Sequence, residues 1–156
     1  MTSRDAVMEI LREAKKLAQR YRSITGKPLG ITGEVAEYEA ARILGVELTQ
    51  ARQAGFDAIE RIDGGIRRLQ IKGRCVPVKY NPGQRLGSID ITKEWDGVLL
   101  VLLDEQFEAF AIYEADRYPV VSAITAPGSK ARNERFALSV SKFKSIGHLR
   151  WARDAA

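Results

Sequence analysis

The sequence predicts an α/β fold, α+β-like in character: a central mixed β-sheet flanked by helices, with a further helix at the N-terminus. Three observations predict it. Apolar residues near the N-terminus recur at helical spacing. The middle of the chain holds short apolar stretches separated by glycine turns. One of these, Val98 to Leu103, is apolar without interruption, as suits a strand covered on both faces. The expected order is two helices, four strands, a helix and a strand.

The elements follow in turn. Val7, Ile10, Leu11, Ala14, Leu17, Ala18 and Tyr21 mark a first helix over about residues 3–22. Ser3 is placed to cap it, and Asp5 suits its positive N-terminal end. Gly26 to Gly30 reads as a connector. A second helix is expected to begin at a Thr32 cap and to stop at Gly45, a good left-handed terminator. Leu48 to Ile62 should contain a strand broken near Gly55. Asp63-Gly64-Gly65 signals a turn, and Ile66 to Val76 the partner strand. Pro77 to Trp95, with Pro82, Gly83 and Gly87, reads as a long loop that carries Lys79, Arg85 and Lys93. Phe107 to Tyr113 should return beside the apolar strand. Beyond it the sequence suggests a short helix over Ala115 to Ala123 interrupted near Pro119, a strand over Arg135 to Val140, and a helical turn over Ser141 to Gly147.

No repeat or domain boundary is visible, and 156 residues suit one domain with a single core. A core over about residues 30–115 and a basic C-terminal extension over about 116–156 are its expected parts. The net charge of +5 permits a polyanionic partner without requiring one. Lys93, Lys130, Arg132, Lys142 and Lys144 are candidate contacts to a nucleic-acid backbone, and a solvated basic face is the alternative. The single cysteine, Cys75, excludes an internal disulfide and falls on the apolar side of its strand, as a buried inert thiol would. With no apolar leader and no run long enough to span a bilayer, the expectation is a cytoplasmic protein with no membrane partner. His148 is the only histidine, which excludes a multi-histidine metal site. Gly26-Lys27-Pro28 lacks the glycine spacing of a phosphate-binding loop. Trp95 and Trp151 read as partial core residues; Trp95, beside the basic loop, has stacking on a base as its alternative.

The residues that carry chemistry lie around the glycine turn. Gly55-Phe56-Asp57 and Gln70-Ile71-Lys72 fall on two neighbouring strands, preceded by a helix with Glu34 and Glu37 on one face. If Gly64 and Gly65 form a two-residue loop, Asp57 comes opposite Lys72, with Gln70 its diagonal neighbour on the same face. A slip of one residue would part them. An aspartate amid Phe56, Ala58 and Ile59 needs a partner, either a metal or a lysine. Oxygen ligands of this kind suit Mg²⁺ or Mn²⁺. The plainer alternative is a cross-strand Asp57–Lys72 ion pair, with both glutamates complementing the helix dipole.

This arrangement resembles the PD-(D/E)XK nuclease superfamily, the restriction-endonuclease-like fold, over about residues 30–115. The resemblance implies a metal-dependent DNA endonuclease, with RNA left open as a substrate and a homodimer as a possible assembly. It implies catalytic roles for Asp57, Gln70, Lys72 and Glu34, and a metal held by Asp57, Gln70, Glu34 and, as the alternative helix ligand, Glu37. Gln70 stands where the family usually has an acid. That departure points to two alternatives: a non-catalytic nucleic-acid-binding module of the same fold, or a structural or interaction subunit.

Overall fold

A computed structural model describes residues 2–27, 29–49, 55–76 and 83–154, the side chains of residues 130 and 131 apart. Helix α1 spans Ser3–Thr25. Its cap is Thr2, one residue earlier than the sequence suggests. Asp5 N donates to Thr2 Oγ1 at 3.1 Å and Thr2 N to Asp5 Oδ2 at 3.0 Å, a reciprocal pair that satisfies two donors at the helix start. Gly26, at φ 73°, closes the helix. Helix α2 spans Thr32–Leu44, with Ile31 rather than Thr32 at the cap position and Gly45 in the left-handed region as expected.

Six strands make one mixed sheet in sequential order: β1 Glu47–Leu48, β2 Ala58–Ile62, β3 Gly65–Cys75, β4 Gly97–Leu103, β5 Ala109–Asp116 and β6 His148–Ala152. Only β3 and β4 pair in parallel. The β2–β3 turn is Asp63-Gly64, with Ile62 paired to Gly65. The register therefore differs from the expected one by two residues, not one. The faces are preserved, but Asp57 lies level with Gln70 and Lys72 becomes its diagonal neighbour.

Both faces of the sheet are covered. On one, α1 and α2 pack against Leu69, Ile71, Leu99, Val101 and Ile112. On the other, Leu86, Ile89 and Trp95 of the 83–96 loop join helices α3 (Arg117–Thr125) and α5 (Val140–Ile146) over Val98, Leu100 and Leu102. This explains the unbroken apolar run of β4, which is buried along its whole length.

Two C-terminal expectations fail. Residues 130–135 form a short helix, α4 (Lys130–Arg135), and the following segment makes only an isolated bridge, Ser139 to Arg85. Its carbonyls serve the 83–96 loop instead: Leu86 N donates to Leu138 O and Ile89 N to Phe136 O. The last strand is β6, beside β5. Pro119 does not interrupt α3, because it sits in the first turn, where its missing N–H has no helical partner to lose. His148 and Arg150 of β6 join a charged cluster with Glu60, Arg67 and the buried Glu114, which ties β2 and β3 to β5 and β6 across β4. Lys79 and Pro82 lie outside the described residues. No described helix is long and apolar enough to cross a membrane.

Candidate functional site

The site begins where β2 stops short. Its first residue, Ala58, pairs with Leu69, whereas β3 runs on to Cys75. Asp57 sits at this step. Its N–H donates to Leu69 O at 2.8 Å, and its carboxylate Oδ2 accepts the N–H of Ile71 at 2.8 Å. A side chain thus takes the place of the next strand residue on the β3 edge. The carboxylate is held in one orientation by backbone, as a fixed ligand or electrostatic group requires.

Helix α2 is brought down onto this edge by Gly73. A Cβ there would stand 2.5 Å from Ala36 Cβ and 3.0 Å from Thr32 O, so only glycine permits the contact. Ala36 precedes Glu37, so the close approach brings the helix acid down to the β3 edge at which Asp57 sits. Glu37 is half-buried, and its carboxyl is pushed up to about 7, chiefly by burial and then by the charges of Asp57 and Glu34. At neutral pH it is poised between its two protonation states. Glu34, in the first turn of α2, is exposed.

Lys72 points to the other face, where Nζ donates to Ser88 O at 2.8 Å. Burial pushes its ammonium below the usual lysine range, the charge of Asp57 opposes that displacement, and Arg74 adds to it. Gln70 donates through Nε2 to Gly55 O at 2.6 Å, which turns its amide oxygen into the remaining acceptor. Gly55, at φ 92°, packs so closely on Lys93 that a Cβ would stand 3.1 Å from Lys93 Cβ. Among the described side chains of the basic candidates, exposed Lys93 is the one that Gly55 links to Gln70.

The other basic candidates lie elsewhere. Arg132 directs its guanidinium at the carbonyls of Ala126 and Pro127. Lys144 stands over the ring of Tyr113 at 5.3 Å, and Lys142 is exposed on α5. The side chain of Lys130 lies outside the described residues. Trp95 is 1% exposed, donates to Asp90 O and is covered by Arg117 at 4.5 Å, so it is a core residue with no face left for a base. Cys75 is half-buried, its thiol pushed up mainly by burial, in keeping with an inert role.

Glu34 and Glu37 therefore lie on the α2 side of the β2 step and Gln70 and Lys72 on the opposite side, so the helix acids do not stand over the same face as the expected strand residues; Asp57, at the edge, acts on both groups. Among the described residues, no three His, Cys, Asp or Glu side chains are set close enough to cage a metal ion. The donor set still fits a hard divalent cation. Mg²⁺ commonly takes one or two carboxylates and keeps several waters, and the charges of Asp57 and Glu34, which add to burial in raising Glu37, are ones a cation offsets. Sequence reasoning read Gly55 as a strand break and passed over Gly73 and the Ser88 carbonyl. The two glycines were visible as breaks in strand pattern, a signal of close backbone approach; a carbonyl acceptor leaves no sequence signal. No protein-family model matches the chain, and no curated protein matches it.

Proposed function

We propose that the chain is a divalent-metal-dependent endonuclease that hydrolyses DNA phosphodiester bonds, built on a restriction-endonuclease-like core. The observation that carries this reading is the half-buried Glu37 carboxyl, raised first by burial and then by the charges of Asp57 and Glu34, across the β3 edge from a lysine of lowered basicity. Structural ion pairs stabilise both charges. Here a carboxyl is kept partly protonated beside another acid, which costs stability and marks a site shaped for a ligand.

Asp57 and Glu37 would hold Mg²⁺ or Mn²⁺, with the Gln70 amide oxygen a further ligand and Glu34 at the outer edge. Such an ion polarises a phosphate oxygen and lowers the pKa of a bound water. The chain's own contributions are distinct. Ile71 N–H holds the Asp57 carboxylate in place. Lys72, anchored on Ser88 O, directs its ammonium charge at the phosphate and stabilises negative charge that develops there. Glu37, which loses its proton when an ion is held, would supply the second carboxylate. Lys93 is placed to meet a flanking backbone phosphate.

The test is nicking of supercoiled DNA with Mg²⁺ or Mn²⁺. Wild type should nick; Asp57→Ala and Lys72→Ala should reduce nicking by at least about a hundredfold while keeping the wild-type circular dichroism spectrum. Wild type that never nicks with either metal overturns the catalytic reading. One observation favours a second reading: Gln70, a neutral amide, occupies the position of an acid and spends its donor on Gly55. A DNA-binding module that does not cleave would show salt-sensitive binding, with a log–log slope of about −4 to −6, and no nicking.

A further inference from the structure

Helix α1 carries more apolar surface than its own domain covers. Its buried residues are Leu11, Lys15 and Ala18. Ile10, Leu17, Tyr21 and Ile24 remain 62, 57, 41 and 81% exposed. With half-buried Val7 and Ala14 they form one line, at alternating steps of three and four residues from Val7 to Ile24. This is an unbroken run of the a and d positions of a two-helix seam. Leu11 and Ala18 each follow a seam residue by one, so the buried face is turned roughly 100° from the exposed one. The stripe therefore runs beside the buried face, with Val7 and Ala14 at its inner border and Ile10, Leu17, Tyr21 and Ile24 open. Scattered surface apolar residues are ordinary, but a continuous line of them on one helix is an interaction surface.

We propose that this stripe joins two copies of the chain, α1 against α1 in antiparallel orientation. Set Ala14 opposite Leu17 of the second copy, and Ile10 meets Tyr21 while Val7 meets Ile24. The two-fold axis repeats each layer, so the whole line is used in a seam of roughly 25 Å. The charges choose the orientation. Glu13 and Arg20 are both exposed, each one residue before a seam position and on the flank turned from the domain; neither forms a salt bridge among the described residues. Antiparallel pairing brings Glu13 beside Arg20 of the second copy, twice per dimer. Parallel pairing sets them beside Ala18 and Thr25 instead and leaves four charges unmatched. Self-complementarity of both the apolar line and its charged flank specifies a second copy as the occupant.

The test is sedimentation equilibrium of the intact chain from about 1 to 200 μM, a range that detects association of moderate strength. The weight-average mass should rise from 17.4 kDa toward twice that value. Leu17→Glu should weaken association at least about tenfold, since it buries a charge in the seam. Glu13→Arg and Arg20→Glu, each alone, should weaken it about threefold or more, and the double variant should recover wild-type affinity within about twofold, because the pair is merely exchanged. All three substituted positions are on exposed helix surface, and far-UV circular dichroism checks that each variant folds. A chain that stays monomeric throughout the range overturns the proposal. So does a double variant weaker than either single one, or charge variants with no effect, which would remove the antiparallel register.

Discussion

Replacing Glu37 with glutamine should make the protein more stable at alkaline pH and leave it nearly unchanged at acid pH. The folded protein holds the Glu37 proton more tightly than the unfolded chain, since its carboxyl titrates at about 7 instead of 4.5. Between those values the folded state binds more protons, so stability falls as pH rises. The contribution is fully present below the unfolded value and is lost as pH passes through about 7. Each pH unit between the two titrations corresponds to about 1.4 kcal/mol, which sets a ceiling of roughly 3 kcal/mol. Glu37 is only half-buried, and water screens part of its repulsion by Asp57 and Glu34, so about 1–2 kcal/mol is the expected cost of the charge. Glutamine keeps the shape and removes the ionisation. Urea unfolding in metal-free buffer should place Glu37→Gln about 1–2 kcal/mol above wild type at pH 8 and within about 0.5 kcal/mol of it at pH 4.5. Mn²⁺ added at pH 8 should then stabilise wild type and not the variant, because only the carboxylate gains a ligand. An equal difference at both pH values, or a variant less stable at pH 8, would show that burial and the charges of Asp57 and Glu34 do not raise Glu37.

Three further substitutions, one of them a control, examine how the site is assembled. Gly73→Ala should cost about 1–3 kcal/mol in urea unfolding, because its Cβ meets backbone and a buried methyl that cannot yield; Gly65→Ala, where nothing lies within 4 Å, should stay within about 0.5 kcal/mol. Equal costs at the two glycines would mean that α2 is not held close on β3. Gln70→Glu should tighten Mn²⁺ binding in calorimetry by at least about tenfold, since an anionic oxygen replaces a neutral one. The same change should lower metal-free stability by about 1–2 kcal/mol, because a carboxylate would then face the Gly55 carbonyl without a donor between them. Unchanged Mn²⁺ affinity would remove residue 70 from the ligand set.

What the sequence revealed and what it hid follow from the range of the forces involved. Val98 to Leu103 was legible as a doubly covered strand because burial on both faces leaves a direct compositional mark. The gathering of Asp57, Gln70 and Lys72 was legible because strand parity survives a register error of two residues; the turn at Asp63-Gly64 shifted the pairing and kept the face. The segment after Arg135 was misread because its strand-like residues bond to the 83–96 loop, a partner some fifty positions away that no local pattern announces. Strand β6 escaped notice for a related reason: its Arg150 is matched only by Glu60 and Glu114, which other strands place against it. Within the site the same division holds. The ionisable groups could be named in advance, but their state could not. Glu37 becomes a group that titrates near neutrality only because Gly73 lets α2 settle onto the β3 edge, next to an aspartate that has replaced a strand residue. The chemistry proposed for this chain thus depends on a missing side chain as much as on the charged ones.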